Sequence, residues 1–276
     1  ELGLPDKEHG LWLLPQEYAV GTPVRTFVPT DTIFELEITP NRPDLLSHWG
    51  MARELAGITG RALKQDPAEQ PTTAIQTCPA GDYITLSAPE ICPLYTATRI
   101  SGVKIGPSPA WLADRLVSIG LRPINNVVDI TNYCLFELGH PLHAFDAAKL
   151  TGGLNIRRAA EGETFTSLMN EQYSLTTEDI VISDASGAAL ALGGVMGGLD
   201  SGVTESTTDI VLESAWFLRS NIRFTSRRLA LGSDSSYRFE RGTSPWNVLR
   251  AAARAIELIL ECAGGTAEPV MVGGQA

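Results

Sequence analysis

The sequence predicts an α+β fold with mixed sheets and packed helices. Three observations lead there. Short apolar runs of strand character (YITLSAP, YTATRISGV, LNIRRA, DIVISDASG, DIVLES) are separated by turn residues. Amphipathic stretches with clear start and stop signals stand among them. The two kinds of element intermix without a regular βαβ repeat, which argues against a doubly wound parallel sheet.

In chain order, residues 1–30 read as short strands and turns, GLWLLP and then the loop-like GTPV. DTIFELEITP places Ile33, Phe34, Leu36 and Ile38 in a strand ended by Pro40. Ser47 is a helix cap, and the helix runs to Thr59 with Gly60 as its stop. Residues 61–80 have the composition of a linker. Ser108-Pro109 opens a helix through Ile119, because Pro suits a first helical position; Leu112, Leu116 and Ile119 give its buried stripe. A further helix spans about Asn126 to Leu138 and ends at Gly139. Residues 154–213 alternate strands with tight turns. Helices follow from about Phe217 to Leu231 and from Pro245 to Cys262. The last carries Val248, Leu249, Ala252, Ile256, Ile259 and Leu260 on one face, with Gly264-Gly265 beyond it.

Composition bounds the possibilities. At 43% hydrophobic and 19% charged over 276 residues, the chain can bury a sizeable core. It has no run of 18 apolar residues, so no membrane-spanning helix is expected. A chain opening on Glu1 without a signal peptide reads as a piece of something longer. Cys78, Cys92, Cys134 and Cys262 lack metal-ligand spacing, so reduced thiols in a cytoplasmic protein are expected, with no metal. The net charge of −11 argues against a dedicated nucleic-acid clamp. Yet residues 219–241 hold six arginines against Asp234 and Glu240. That segment is either a solvated helix face with local ion pairs or a surface that meets a phosphate backbone.

None of the common catalytic signatures is present: no GxSxG, HExxH, Walker loop or GxGxxG. The polar residues concentrate instead in RPINNVVDITNYCLFELGHPLHAF, residues 122–145, a density that a plain core helix does not need. GGVMGG at 193–198 is a tight turn, or a place where a ligand closely approaches the backbone. His143 follows a Gly-His-Pro turn, which places it in a loop at a domain surface. Glu213 ends the apolar run IVLES and is either a solvated strand-end charge or a pocket carboxylate.

Several long motifs carry a resemblance. NRPDLLSHWGMARELAGITGR, GPSPAWLADRLVSIGLRPINNVVDITNY, GHPLHAFDA, GGVMGG, LESAWF and SSYRFERG, in this order, resemble the β subunit of bacterial phenylalanyl-tRNA synthetases. The resemblance covers roughly 31–270. It implies a B3/B4 editing domain over 31–276, preceded at 1–30 by the end of a B1 domain.

What the resemblance implies is hydrolysis of tyrosine wrongly attached to the phenylalanine tRNA. Glu213 matches the glutamate that receives the tyrosine hydroxyl, here as an ionised carboxylate, and Gly197 the glycine beside the ring. Arg122, Thr131, Asn132 and His143 match residues near the ester and terminal adenosine. His143 and Thr131, with Asn132 beside them, would hold the attacking water. Ser233 and Ser235 fall on the family's pocket wall, where members commonly read T-[DE]-A-S; this chain reads Ser233-Asp234-Ser235-Ser236, so Ser235 puts a hydroxyl where an apolar residue is usual. Arg223 and Arg227 would meet tRNA from the cleft's rim. Asn125, Asn126 and Asp129 would cap the helix or tie the loop. The fragment itself needs no cofactor; ATP and Mg2+ belong to the whole synthetase, a heterotetramer of two α and two β subunits. Two alternatives remain: a region that has lost editing and only supports RNA or subunit binding, which Ser235 favours, and a stand-alone editor, which the B1-like start opposes.

Overall fold

The computed structural model describes residues 19–23, 26, 32–63 and 75–275. By contact density the chain divides into Glu1–Glu37 and Ile38–Ala276. The short strand expected at 10–15 lies outside the described residues, as does most of the B1-like segment.

The helices are α1 (His48–Thr59), α2 (Ala110–Ser118), α3 (Asn126–Leu138), α4 (Arg219–Arg228), α5 (Asp234–Phe239) and α6 (Asn247–Cys262). The strands are β1 (Thr77–Pro79), β2 (Ile84–Leu86), β3 (Leu94–Ser101), β4 (Leu142–Asp146), β5 (Leu154–Arg158), β6 (Thr164–Thr166), β7 (Gln172–Ser174), β8 (Ile180–Asp184), β9 (Ala189–Leu192), β10 (Met196–Gly197), β11 (Asp209–Trp216), β12 (Thr266–Ala267) and β13 (Val270–Gly274). One sheet runs β1-β13-β3-β11-β4, with β12 also on β3; a second runs β10-β9-β8-β5-β2; β6 and β7 form a hairpin. The pairs β1–β13 and β2–β5 are parallel and the others antiparallel, so the sheets are mixed, as the sequence predicts.

The period-two rule explains the layers. On β11, Ile210 and Leu212 point one way and Val211 and Ala215 the other. The first pair joins Leu112, Leu116, Val127, Ile130, Ile256 and Ile259 from α2, α3 and α6. The second joins Tyr95, Phe145, Ile156, Ile182 and Leu192 between the two sheets. The order is helices, first sheet, second sheet. Burying a large apolar side chain stabilises by about 1.5–3 kcal/mol. Glu213 occupies one of the inward positions and forgoes that gain.

Capping follows the sequence signals. The Ser47 hydroxyl accepts from Gly50 N at 3.0 Å, and Gly60 closes α1 at φ 66°. Asn125 caps α3 by accepting from Val128 N at 2.9 Å. On α2, Leu112 and Leu116 are buried, while Ile119 is half-buried; on α6, Leu249 remains exposed.

Four expectations need correction. Residues 32–39 carry no strand; Ile33, Phe34 and Leu36 are exposed, and an apolar alternation makes a strand only where a ladder partner exists. The linker at 61–80 ends in β1, which pairs with β13 far along the chain. The helix expected over 217–231 stops at Arg228, where Ala230 takes a left-handed φ of 49°, and α5 begins after Gly232. His143 is in no surface loop: it lies in β4, which starts directly after Pro141, a position where a missing N–H is tolerated.

Candidate active site

The edge strands β4 and β10 of the two sheets face a cleft of about 380 Å³, closed by α3 and the start of α5. Ile182, Ala191, Leu192 and Phe239 supply apolar wall. Arg122, Thr131, Asn132, His143, Gly197, Glu213, Ser233 and Ser235, spread over more than a hundred residues of sequence, all line it. The volume suits a small organic group.

Glu213 and His143 face each other across the β11–β4 pair. Glu213 is only 6% exposed, and its Oε2 has no hydrogen-bond partner. Burial pushes its carboxyl up to about 8, with the nearby Tyr95 hydroxyl pulling the other way. At pH 7 burial therefore keeps the Glu213 carboxyl mainly protonated. His143 is partly exposed as a residue, but its Nε2 is buried and unpartnered. Burial holds the imidazole down to about 4, so it is neutral at pH 7. It is a hydrogen-bonding group rather than a proton donor of the imidazolium type. Its ring packs edge-on against Phe145, centroids 4.6 Å apart.

The glycine stretch has a steric reason. A Cβ on Gly197 would sit 2.7 Å from His143 Cε1 and 3.0 Å from Leu168 Cδ1. One on Gly198 would lie 2.6 Å from the Leu190 carbonyl oxygen. The amides of Gly193, Val195 and Gly198 already donate to Ile180, Leu192 and Leu190 carbonyls at 2.9, 3.0 and 2.8 Å. Those three are spent and cannot serve an oxyanion.

The polar crowd at 122–145 divides into two groups. Asn126 accepts from Gly106 N and donates to the Lys104 and Cys262 carbonyls; Asp129 accepts from Ser108 Oγ at 2.6 Å and Ile124 N at 2.9 Å. Glu137 accepts from Arg254 and Tyr133. These residues tie α3 to its surroundings. The cleft group is different. The Thr131 hydroxyl donates to the Val128 carbonyl at 2.7 Å, which leaves its lone pairs for a ligand. Asn132 and the exposed Arg122 make no side-chain hydrogen bond or ion pair within the described residues, so both are available to a guest.

The two wall serines are already engaged. Ser233 caps α5, accepting from Ser236 N at 3.0 Å while its hydroxyl donates to the Val195 carbonyl at 2.7 Å. Ser235 Oγ donates to the Gly194 carbonyl at 3.2 Å. Together they fasten α5 to the glycine stretch. The Ser235 hydroxyl thus offers the cleft an oxygen but no free proton.

The arginines stand outside the cleft. Arg219, Arg223 and Arg227 repeat every fourth residue on the exposed side of α4 and, among the described residues, form no ion pair. They line a surface depression with Ser220, Glu240 and Arg241. A neighbouring depression holds Arg227 together with Ser233 and Asp234 of the cleft wall. Arg227 thus adjoins the cleft, while Arg223 lies one helical turn further off; neither lines it. Arg228 instead pairs with the fully buried Asp179. Tyr95, fully buried behind Glu213, is the neighbour that sequence reasoning missed; nothing marks it in a strand of ordinary composition.

Comparison with known proteins adds context. A family model of the B3/4 domain matches residues 91–264. The phenylalanine–tRNA ligase β subunit of Chlorobaculum tepidum is 47% identical over 99% of this chain and 33% of that protein. The one from Chlorobium chlorochromatii is 49% identical over 99% and 33%, and that of Geobacter sulfurreducens 47% over 96% and 33%. The chain spans about a third of the length of these curated relatives. A solved N-terminal fragment of the phenylalanyl-tRNA synthetase β subunit from Pyrococcus horikoshii aligns at TM-score 0.46 and 15% identity, covering 83% of this chain and 60% of that one.

Proposed function

The chain belongs to the B3/4 domain family, and from that premise we propose that it is the editing module of a phenylalanine–tRNA ligase β subunit, hydrolysing tyrosine wrongly esterified to the phenylalanine tRNA. The observation that carries the reading is the buried, unpartnered Glu213 carboxyl in a cleft with apolar walls.

The need is physical. A synthetic pocket shaped for an apolar ring rejects an isostere that adds a hydroxyl by only about a hundredfold. A second pocket that hydrogen-bonds the hydroxyl does better, because phenylalanine there leaves a buried polar group unpaired. Glu213 is that group in this cleft. The tyrosine ring lies between the apolar walls and Gly197, where the absent Cβ lets the His143 ring pack close.

The ester lies toward Thr131, Asn132 and His143. A water held by these groups attacks the aminoacyl carbonyl. Its oxygen bonds the carbonyl carbon, the ester C–O bond breaks, and its proton passes to the leaving ribose oxygen. His143, neutral at pH 7, orients the water or a ribose hydroxyl. Asn132 can both donate and accept. Arg122 meets the terminal phosphate, and the Arg223–Arg227 stripe a more distant part of the backbone.

On this reading residues 1–30 are the end of a B1 domain and 31–276 the B3/B4 editing domain. The whole ligase pairs two such β subunits with two α subunits in the cytoplasm, and its aminoacylation uses ATP and Mg2+. Deacylation of tyrosyl- and phenylalanyl-tRNA(Phe) tests the proposal, first by this chain and then by the assembled ligase. Faster loss of the tyrosyl ester is expected. Equal rates, or no hydrolysis in either form of the protein, would overturn it.

A further inference from the structure

A buried hydroxyl without a partner carries a desolvation cost that phenylalanine, filling the same space, avoids. Tyr95 is such a case. It is 0% exposed in the core between the sheets, and its Oη has no hydrogen-bond partner. Glu213 Oε2 is likewise buried and unpartnered. The register brings the two together. On the β3–β11 pair Tyr95 lies opposite Ala215 and Glu213 opposite Ala97, so they are diagonal neighbours on one face, within reach of an aromatic side chain. One atom has a proton to give and the other has lone pairs, and the two groups already influence each other.

We infer that Tyr95 is a positioning residue for Glu213, and through it a determinant of specificity: its hydroxyl donates to the inner carboxylate oxygen while a ligand hydroxyl donates to the outer one. The inference rests on reading the cleft as a site for a tyrosyl ester. Burial alone leaves Glu213 protonated at pH 7. When a phenol enters, two donors converge on one carboxyl group, which favours the ionised form. The Glu213 proton leaves to solvent, and both hydroxyls keep theirs. A phenylalanyl ester supplies only the Tyr95 donor and leaves the outer oxygen unpaired. Around Glu213 stand Tyr95 on β3, His143 on β4, Cys92 before β3, and across the cleft Arg122 and Asp234. Burial, then the Glu213 charge, holds both Tyr95 and Cys92 protonated, and His143 is neutral. Among Tyr95, His143, Cys92 and Glu213, Glu213 is therefore the group that changes state near neutral pH.

The test is Tyr95→Phe, which removes one oxygen that bonds nothing else. Two readouts separate the possibilities. The first is titration of the Glu213 side-chain carboxyl by 13C NMR, with Glu213→Gln identifying the signal. In Tyr95→Phe its midpoint should rise by about one unit, the worth of one hydrogen bond to a charged group. An unchanged midpoint overturns the pairing, whether or not the chain hydrolyses any ester. The second is hydrolysis. Tyr95→Phe should lower the preference for tyrosyl- over phenylalanyl-tRNA about tenfold, chiefly through KM, and move the pH profile for the tyrosyl ester upward. Equal slowing of both esters with an unmoved profile is the mark of a merely structural residue and overturns the specificity role. If the unaltered chain and the assembled ligase spare tyrosyl-tRNA altogether, the editing reading fails, and the titration still decides the Tyr95–Glu213 contact.

Discussion

Glu213 of β11 stands directly opposite His143 of β4, and both side chains open on the same cleft. An acid facing a base suggests an ion pair. Burial produces something else, because it pushes Glu213 up to about 8 and His143 down to about 4. At pH 7 the pair is largely neutral on both sides. Two neutral groups with unspent hydrogen-bonding capacity can receive a polar guest without first breaking a salt bridge.

That arrangement makes stability depend on pH in two windows. Between about 4.5 and 8 the folded chain keeps a proton on Glu213 that the unfolded chain has lost, so stability falls as pH rises through this window. Between about 6.5 and 4 the unfolded chain binds a proton that buried His143 refuses, so stability falls as pH drops. His140, fully buried and held down to about 3 by that burial, acts in the same sense. Each group contributes a slope of up to about 1.4 kcal/mol per pH unit. Glu213→Gln should flatten the loss between about pH 6.5 and 8 and steepen the acid limb between about 6.5 and 4.5, where the Glu213 contribution opposes that of the histidines. Denaturant unfolding at a series of pH values checks this; parallel curves for the two proteins would contradict it.

Gly197→Ala should disable the cleft without unfolding the protein. The new Cβ would come within 2.7 Å of His143 Cε1, and the ring already packs edge-on against Phe145. Overpacking of this kind costs about 1–3 kcal/mol. The displaced imidazole should slow hydrolysis of tyrosyl and phenylalanyl esters alike. Retention of full activity at unchanged stability would show that the close approach has no functional weight.

Arg227 and Arg228 are adjacent in sequence and should behave oppositely. Neutralising Arg223 and Arg227, which have no ion-pair partner among the described residues, should weaken tRNA binding and reduce the salt slope by about 1.4–1.8. Arg228→Ala should instead cost stability, about 1.5–3 kcal/mol, by removing a charged hydrogen bond from the buried Asp179, which keeps its bonds from Thr176 and Thr225. Binding titrations across salt concentration, beside melting curves, separate the two. An unchanged slope in the double variant would return the stripe to an ordinary solvated face.

Legibility of the sequence followed the physics. Helices with local signals were readable: Ser47 and Gly60 around α1, Pro109 before α2, Asn125 and Gly139 around α3. Long-range pairing was not. The strand β4 is five residues after a proline, and only its ladder with β11 makes it a strand. Ile33, Phe34 and Leu36 show the reverse, a strand pattern with nothing to pair against. The eight cleft residues were named from family motifs, since no spacing rule links Arg122 to Ser235. The roles of Ser233 and Ser235 needed coordinates, because a serine that caps a helix and one that contacts a ligand look the same in sequence. Burial of Glu213 was equally hidden; IVLES fits a strand-end solvent charge as well as a pocket acid.

The sharpest prediction divides labour between the two facing residues. On the proposed reading Glu213 meets the phenol hydroxyl, the group that distinguishes tyrosine from phenylalanine. Once the phenol is bound and Glu213 is ionised, its hydrogen bond to that charged group is worth roughly 1.5–3 kcal/mol. At about 1.4 kcal/mol per decade, Glu213→Ala should reduce the preference for tyrosyl- over phenylalanyl-tRNA by about ten- to a hundredfold. The loss should appear mainly on the tyrosyl ester. On the same reading His143 acts at the carbonyl, which both esters share, so His143→Ala should slow both by a similar factor and leave their ratio intact. Single-turnover deacylation of the two charged tRNAs by the two variants separates these effects. If Glu213→Ala slows both esters equally, the carboxyl is a structural group of the cleft, and the hydroxyl must be read elsewhere.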